Sequence, residues 1–392
     1  MTLLDASSEE IRKPIAGSVL FPFMGSEIGG SHVSALTLGQ TLQDEHGMHC
    51  IVLCPGGTMI AEQARRRGLS VIDSGEPPIS RHHPVADALR FAGRWRLVQG
   101  LPADSIFHFN DLPTVQSWGT VARLAGRRIV YHHRSLNRMT LPKRILVNLA
   151  DQIICISGAC EGNIAFVRPE KRNFVLNPIK VSSDERIRTE GRRFARELGC
   201  PANAFLIGFV GNFWNWKRPR FFLEVCARVS RERHDCHFVV FGRKGDESED
   251  DLRRVAEDLG FAHRVTFTGF HMPAERNIAA LDLLVATSTK EPFGRTLVEA
   301  IITGTPYLAT DSAGYRETWN RWRGGCLVPL EASADEFASH VLTIIQNPTG
   351  LVLQEHERQG VINDVSASTH AQRIVEIYGR LGGEPVSMVS TH

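Results

Sequence analysis

Hydrophobic residues along this chain fall into two alternating patterns. Short uninterrupted apolar runs, such as Val19-Leu20-Phe21, alternate with longer stretches in which apolar residues recur at every third or fourth position. The short runs predict buried strands, and the wider spacing predicts amphipathic helices. Strands that alternate with helices are typical of parallel sheets assembled from strand–helix–strand units. The pattern therefore predicts an α/β protein.

The strand pattern occurs in two series separated by a charged stretch. The predicted strands of the first series are residues 18–23, 50–54, 105–109, 128–133, 151–157 and 173–177. Those of the second series are residues 205–210, 237–242, 264–269, 281–286 and 306–309. Between them, residues 180–199 are highly charged and predict a linker followed by a solvated helix. Two series in a chain of 392 residues predict two domains of ordinary size.

Composition narrows the class of protein. Lys and Arg number 45 against 43 Asp and Glu, so a general nucleic-acid-binding protein, which would be far more basic, is not expected. No apolar run reaches the roughly 18 residues of a membrane-spanning helix, and residues 1–13 lack the basic start and apolar core of a signal peptide. The 8 cysteines include no Cys-x2-Cys pair and are expected to be buried, reduced thiols, which favours a cytoplasmic protein.

The most informative segment runs from Glu291 to Glu299. It follows the apolar run 281–286 and contains Gly294 before a stretch with helical apolar spacing. A strand, a glycine turn and a helix start create an anion site, because the free N–H groups and the macrodipole at the helix start favour negative charge. Two carboxylates about two turns apart are predicted on one helix face, where they could accept hydrogen bonds from a polyhydroxylated ligand.

The order of several motifs supports a resemblance to a known family. Glu-x7-Glu with Phe293-Gly294 inside it precedes Gly304-Thr305-Pro306, Ala313-Gly314 and Glu317. This series resembles the retaining glycosyltransferases of family 4. The resemblance implies the GT-B fold, in which two Rossmann-like domains face each other across a cleft. It implies an acceptor-side domain at 1–182, a donor-binding domain at 183–365, and a terminal helix at 366–382 that packs back onto the first domain.

The resemblance also assigns roles to the residues of this segment. Glu291 is expected beside the donor sugar, and Glu299 beside the nucleotide ribose. The stretch between them, Phe293, Gly294, Arg295 and Thr296, is expected to meet the diphosphate.

A second predicted site follows the strand at 205–210. Gly211 ends this strand, and a lysine at 217 could neutralise a diphosphate whose charge grows as the glycosidic bond breaks. The family usually has arginine directly after this glycine, but this chain has Asn212. Arg218 or Arg220 is an alternative source of the missing charge. Lys217 and Glu291 are the catalytic candidates in the second domain.

The first domain offers weaker signals. The loop that contains Gly29 and Gly30 departs from the dinucleotide fingerprint, and no acidic residue ends the second predicted strand. By resemblance the two glycines face the acceptor and the donor phosphate, although a tight strand-to-helix turn would also explain them. His133, with His132 as the alternative, is expected to reach the donor sugar. His108, Asn110 and Asp111 either line the acceptor side or cap a loop.

Three further segments admit more than one interpretation. The acidic run 246–251 is interpreted as a solvated helix start rather than a metal site. Residues 269–271 resemble the stretch whose backbone contacts the nucleobase. Arg138, Lys143 and Arg144 are interleaved with Leu141, Ile145 and Leu146. Such a segment is either a helix packed on the sheet or an interfacial membrane patch.

The sequence thus predicts a cytoplasmic, metal-independent enzyme without a cofactor, with a nucleotide sugar and a hydroxyl acceptor as its partners and no nucleic acid. Peripheral contact with the inner face of the membrane is an open possibility, and the oligomeric state is not predicted. The alternatives are a sugar-nucleotide epimerase, a phosphorylase, or a nonenzymatic nucleotide-sugar-binding protein.

Overall fold

A computed structural model describes residues 18–24, 28–75, 84–179 and 186–381. The chain forms two compact units. Unit 1 contains the described residues up to Pro178 together with those from Val365 onward, and unit 2 extends from Ile179 to Asp364. The division lies within a few residues of the boundaries predicted at 182 and 365. Each unit contains one parallel sheet with helices around it, and the α/β class is confirmed.

Unit 1 contains a seven-stranded parallel sheet with the order β3-β2-β1-β4-β5-β6-β7. Its strands are β1 Val19–Pro22, β2 Cys50–Cys54, β3 Ser70–Asp73, β4 Ile106–Phe109, β5 Arg128–His133, β6 Gln152–Cys155 and β7 Arg172–Phe174. The sequence analysis did not predict β3. This strand forms the sheet edge and is partly exposed, so its sequence Ser-Val-Ile-Asp contains only two apolar residues.

The helices of unit 1 lie on both faces of this sheet. They are α1 Gly30–His46, α2 Met59–Arg66, α3 Pro84–Gln99, α4 Leu112–Thr114, α5 Thr120–Leu124, α6 Leu141–Asn148, α7 Gly158–Asn163 and the terminal α16 Ala367–Gly379. A π-helical turn, Val115–Gly119, joins α4 to α5. Buried residues of α1, α2 and α16 share one core with alternate residues of the central strands. Helix α6 packs instead against α4 and the π-helical turn.

Unit 2 contains a six-stranded parallel sheet with the order β10-β9-β8-β11-β12-β13. Its strands are β8 Phe205–Val210, β9 Cys236–Phe241, β10 Val265–Gly269, β11 Leu283–Ala286, β12 Tyr307–Thr310 and β13 Cys326–Val328. Its helices are α8 Arg186–Glu197, α9 Pro219–Glu232, α10 Glu249–Asp258, α11 Ala274–Ala279, α12 Arg295–Thr303, α13 Ala313–Trp322, α14 Ala334–Gln346 and α15 Glu355–Asp364. The predicted strands of this series are all present, and β13 at the edge is an addition.

The expectation of a solvated helix after the linker is correct for only one side of α8. Residues 180–185 of the predicted linker lie outside the described residues, but α8 packs closely on α11. A Cβ atom at Gly191 would lie 2.6 Å from the backbone nitrogen of Ala280. Arg192 forms an ion pair with Asp282 at 3.1 Å, and Arg188 donates to the Thr305 hydroxyl at 2.8 Å. Two of the charged residues of this helix, Arg188 and Arg192, therefore form specific bonds within unit 2.

The eight cysteines all lie in described residues, and none of them forms a disulfide. Seven are buried, and burial raises the pKa of the Cys50 and Cys155 thiols to about 12. Within the described residues, no helix is both long enough and apolar enough to cross a bilayer.

Candidate functional site

The candidate site of unit 2 lies where the strand order reverses. From β8 the chain proceeds outward through β9 and β10, and it then returns to β11 on the other side of β8. Ligands of open parallel sheets bind at such a switch point, beyond the carboxyl ends of the strands. The loops that follow β8 and β11 are bonded together. The amide of Thr289 donates to the Trp216 carbonyl at 2.8 Å, and the Thr287 hydroxyl donates to the Lys217 carbonyl at 2.7 Å.

An ion pair joins the side chains of these two loops. The ammonium of Lys217 lies 2.5 Å from a carboxylate oxygen of Glu291. The two side chains are only 15% and 10% exposed, and the ammonium also lies 4.5 Å from the ring centre of Trp216. Burial is the largest single influence and lowers the pKa of Lys217, but Glu291, Tyr315 and Glu299 together outweigh it, so the net shift is upward. Lys217 is therefore held as a cation at the switch point.

The position of Glu291 corrects one sequence prediction. Helix α12 begins only at Arg295, so Glu291 lies in the loop before the helix, and the two glutamates do not share a helix face. Gly294, the residue before the helix, has a φ of 88°, a left-handed conformation that glycine adopts readily. The chain can therefore turn sharply there and direct the start of α12 toward the strand ends.

Helix α13 fixes the backbone of this loop. The amide of Gly314 donates to the Glu291 carbonyl at 2.9 Å, and a Cβ atom at Gly314 would lie 2.5 Å from that same oxygen. The Thr318 hydroxyl donates to the Phe293 carbonyl at 2.9 Å. Close approach of α13 therefore requires glycine at position 314, and it holds Glu291 and Phe293 in place.

The first turn of α12 presents amide groups and a second ion pair. The backbone amides of Arg295 and Thr296 have no carbonyl one turn earlier in the helix. The Arg295 guanidinium donates to the Glu299 carboxylate at 2.7 Å, and Glu299 is buried. The Arg295 cation of the first turn therefore compensates the charge of the buried Glu299 carboxylate.

The loop after β8 depends on glycines that the sequence analysis missed. Gly211 and Asn212 are partly exposed at the end of β8, and the amide of Gly211 donates to the Phe241 carbonyl at 2.9 Å. A Cβ atom at Gly242 would lie 2.1 Å from the Gly211 carbonyl oxygen, and one at Gly245 would lie 2.7 Å from the Phe213 backbone. Gly242 and Gly245 lie in the loop after β9, so only a motif that spans the loops after β8 and β9 could have revealed them.

The two arginines considered as substitutes for the family arginine have other partners. The Arg218 guanidinium lies 3.7 Å from the ring centre of Phe221. Arg220 forms an ion pair with Glu247. Lys217 is therefore the cation paired with Glu291 at this switch point. Neither Arg218 nor Arg220 obviously replaces the arginine that the family usually has at the position of Asn212.

The segment that resembles the nucleobase contact follows β10 at the same edge of the sheet. Phe270 is nearly half exposed, and the Arg243 guanidinium lies 4.9 Å from its ring centre. The His271 ring donates to the Thr268 carbonyl at 2.8 Å. An exposed aromatic ring near the carboxyl ends of the strands is suited to stacking on a planar base.

In unit 1, Gly29 and Gly30 lie at the start of α1, while Gly25 of the same loop lies outside the described residues. The amide of Gly29 donates to the ring of His32 at 3.0 Å. A Cβ atom at Gly30 would meet no heavy atom within 4 Å, and one at Gly29 would make only ordinary contact with His32. Local packing therefore does not require either glycine, and close approach of a ligand remains the prediction.

His133 ends β5 and is buried. Its two ring nitrogens lie 2.9 Å from the Tyr131 hydroxyl and 3.1 Å from the Asn163 side-chain oxygen. Burial lowers the pKa of His133 to about 4, so the ring is neutral near pH 7. A contact between His133 and a donor sugar would have to replace one of these two bonds, and that role stays a prediction.

The residues that follow β4 include a loop cap, as one of the two interpretations predicted, while a contact with the acceptor stays a prediction. The Asp111 carboxylate accepts from the amide of Thr114 at 2.9 Å and caps α4. Asn110 is buried, and neither atom of its amide group has a partner in the described part of the chain. Because β1 and β4 flank the reversal of strand order in unit 1, Asn110 lies at the switch point of this sheet.

A buried histidine cluster that the sequence analysis missed ties α16 to the strand ends. His108 lies 2.6 Å from the Tyr378 hydroxyl and 3.4 Å from His132. The His132 ring stacks on His370, with ring centres 5.5 Å apart, and His370 donates to the Leu176 carbonyl at 2.7 Å. Burial, together with the nearby Arg134 cation, lowers the pKa of all three histidines, in the case of His370 to about 3.

We expect this cluster to make unit 1 acid-sensitive. Below pH 6.5 the unfolded chain binds a proton at position 370 that the folded chain does not bind, so stability falls as the pH falls from 6.5 toward 3. The free energy of unfolding should drop by about 2 kcal/mol between pH 7 and 5 for this residue alone. Urea titrations measure the free energy of unfolding at each pH. Its fall between pH 7 and 5 should be about 2 kcal/mol smaller in His370→Gln than in wild type. The exposed His356, changed to Gln, is the matched control, and equal pH dependence in wild type and His370→Gln would contradict the assignment.

The acidic run 246–251 begins α10 as expected. The Ser248 hydroxyl accepts from the amide of Asp251 at 3.2 Å, and the Asp251 carboxylate accepts from the amide of Ser248 at 3.0 Å. This reciprocal cap explains the local acidity without a metal. Within the described residues, no group of three or more His, Cys, Asp or Glu side chains is arranged to hold a metal ion.

Comparison with known proteins relates unit 2 to sugar-transferring enzymes. Residues 204–347 match the family model described as "Glycosyl transferases group 1". The chain is 28% identical over 208 residues to the 2-deoxystreptamine N-acetyl-D-glucosaminyltransferase of Streptomyces fradiae, a match that covers 52% of this chain and 45% of the relative. It is 30% identical over 221 residues to a D-inositol 3-phosphate glycosyltransferase of Mycobacterium bovis, a match that covers 54% and 43%. The chain thus spans less than half the length of these curated relatives.

Solved structures match the whole fold. The structure of Anabaena Alr3699/HepE in complex with UDP and glucose aligns with a TM-score of 0.78 at 20% identity, covering 93% of this chain and all of that chain. WaaG, a glycosyltransferase involved in lipopolysaccharide biosynthesis, aligns with a TM-score of 0.63 at 16% identity, covering 93% and 100%. These likenesses confirm the predicted GT-B fold class with its two Rossmann-like units.

Proposed function

We propose that this chain is a retaining glycosyltransferase of family 4 that moves a sugar from a nucleoside-diphosphate sugar to a hydroxyl group of an acceptor. The observation that carries the proposal is the buried Lys217–Glu291 pair at the switch point of unit 2, next to the amino terminus of α12. The family model matches residues 204–347 of this unit, and a structural neighbour contains bound UDP-glucose, which supports a nucleotide sugar as the donor.

The donor would bind along the loops that carry these groups. The amides of Arg295 and Thr296 would donate to the diphosphate, because a helix start favours anions, and the Lys217 ammonium would neutralise it. Glu299 would accept a hydrogen bond from a ribose hydroxyl with the oxygen that Arg295 does not occupy. Glu291 would accept from hydroxyl groups of the sugar. In unit 1, the unsatisfied amide of Asn110 is the candidate contact for the acceptor.

The reaction requires little from the protein beyond electrostatic support. The bond between the anomeric carbon and the β-phosphate oxygen breaks while the acceptor oxygen bonds to the same face of that carbon, so the configuration is retained. The acceptor proton passes to the departing phosphate oxygen, which restores the balance of charge. Lys217 and the helix amides stabilise the negative charge that grows on the diphosphate, and preorganised charges of this kind lower the barrier.

The account predicts transfer without a divalent cation. The lysine and the helix amides would provide the positive field that Mg²⁺ or Mn²⁺ provides in metal-dependent transferases. Release of nucleoside diphosphate from a nucleotide sugar should therefore continue in excess EDTA at the rate measured without it. Loss of turnover in EDTA that Mg²⁺ or Mn²⁺ restores would contradict this part of the proposal.

Binding alone can be tested before an acceptor is known. A nucleoside diphosphate at 100 times its dissociation constant should raise the free energy of unfolding by about 2.7 kcal/mol. UDP is the first ligand to test, followed by GDP and ADP, with the matching nucleosides as controls. Stabilisation by none of them would contradict the donor site. Stabilisation without turnover of any nucleotide sugar would favour a nonenzymatic binding protein, an alternative that Asn212 in the arginine position supports.

A further inference from the structure

Helix α6 presents an apolar surface to solvent. Leu141 and Ile145, one helical turn apart, are 71% and 59% exposed, whereas Val147 on the inner side is fully buried. Residues four apart lie on the same side of a helix, so the two aliphatic side chains form one exposed ridge. The interpretation that this helix buries its apolar residues on the sheet is therefore wrong for Leu141 and Ile145.

The chain around this ridge is strongly cationic. From Leu112 to Ala150 the sequence contains no Asp or Glu, while it contains seven Lys or Arg residues, namely Arg123, Arg127, Arg128, Arg134, Arg138, Lys143 and Arg144. Arg127 is occupied by carbonyl groups inside unit 1, and Arg123 forms an ion pair with Asp151 at 2.8 Å, so neither adds free charge beside the ridge. Arg138 and Arg144 are exposed and flank the ridge, whereas Lys143, four residues before the buried Val147, lies on the inner side of the helix.

We propose that α6 and the loop before it form a docking surface for an anionic phospholipid bilayer. Leu141 and Ile145 would insert at the level of the headgroups, while Arg138 and Arg144 would lie among the lipid phosphates. Amphipathic helices with cations beside their apolar side bind membranes in this way. The proposal does not rest on the proposed catalytic function, because it is argued only from the exposure and the charge of α6 and the loop before it.

The observations favour a bilayer over a protein partner. A stable protein interface buries about 800 Å² on each side, whereas this ridge consists of two aliphatic side chains on a helix of eight residues. Shallow insertion into a membrane needs no such area, because each cation near an anionic surface adds about fivefold to the affinity. A small apolar ridge between basic residues therefore fits a bilayer best.

Vesicle co-sedimentation of the full chain tests the proposal. Wild-type protein should bind vesicles that contain equal amounts of phosphatidylcholine and phosphatidylglycerol, and should bind pure phosphatidylcholine vesicles far more weakly. Raising the ionic strength should reduce the binding, because the electrostatic part is screened. The double variant Arg138→Gln/Arg144→Gln should lose about 25-fold in affinity, and Leu141→Ser/Ile145→Ser should lose at least about tenfold.

Met59→Ser is the matched control for the apolar substitutions. Met59 is 55% exposed and begins α2, which packs with α1 and α16 on one face of the sheet. Helix α6 lies on the opposite face, because right-handed connections that run in opposite directions along a sheet place their helices on opposite sides. Met59→Ser should bind vesicles like wild type, and thermal melting should show that all variants are folded.

Three results would overturn the proposal. The first is equal binding of wild type to neutral and anionic vesicles. The second is unchanged vesicle binding in both double variants. The third is a wild-type protein that does not bind vesicles but forms dimers in solution which Leu141→Ser/Ile145→Ser dissociates, because the ridge would then be an interface between two copies of this chain.

Discussion

Replacing Glu291 by alanine should lower the turnover of a nucleotide sugar by about a hundredfold or more. Hydrogen bonds to the reacting sugar matter most as charge develops, and removal of one such preorganised group typically has an effect of this size. The structure adds a second cause, since Glu291 holds the Lys217 ammonium at 2.5 Å. Initial rates of nucleoside diphosphate release, measured on folded protein, provide the comparison.

Two further substitutions make this result interpretable. Glu291→Gln keeps the size of the side chain and one accepting oxygen but removes the charge that orients Lys217, so it should recover only part of the activity. The exposed Glu331, changed to Ala, should leave the rate unchanged. Full activity in Glu291→Ala would remove this residue from the site.

Replacing Lys217 by alanine should weaken binding of a nucleoside diphosphate about ten- to a hundredfold, because a hydrogen bond to a charged group contributes roughly 1.5–3 kcal/mol. The donor sugar nucleotide should weaken similarly, while the nucleoside, which lacks phosphates, should bind almost as before. Lys217→Arg should restore only part of the affinity, since a planar guanidinium replaces a compact ammonium. Calorimetric titration of the three ligands measures each effect.

Arg220→Ala is the matched control for this series. Arg220 already pairs with Glu247, so replacing Arg220 by alanine should leave the diphosphate affinity unchanged. If Lys217→Ala binds all three ligands like wild type while Arg220→Ala loses diphosphate affinity, the phosphate role belongs to the arginine. The same titrations would then identify Arg220 as the substitute for the arginine that the family usually has at the position of Asn212.

Local patterns were sufficient to predict much of unit 2. The apolar run at 281–286 predicted β11, and Gly294 predicted the sharp turn before α12. The exact start of the helix was not predictable, because the spacing of Glu291 and Glu299 is also compatible with a helix that includes both. Only the left-handed conformation of Gly294 shows that the helix begins after it.

Contacts between distant residues were beyond the sequence alone. Lys217 and Glu291 are 74 positions apart and meet because β8 and β11 are neighbouring strands. His108 and Tyr378 are 270 apart and meet because α16 packs into the core of unit 1. The same limit applies to exposure. The spacing of Leu141 and Ile145 predicts a helix side, but whether that side contacts the sheet or solvent depends on where neighbouring elements pack.

We infer that unit 2 presents a nucleoside-diphosphate sugar for transfer with retention. Proton NMR of the anomeric signals during incubation with α-linked UDP-, GDP- and ADP-sugars tests it most directly. With water in place of the acceptor, we expect wild type to hydrolyse one donor to the nucleoside diphosphate and a free sugar that appears first as the α anomer, and Glu291→Ala to do so at least about a hundredfold more slowly. Consumption of no donor, or first appearance of the sugar in the β configuration, would contradict the account.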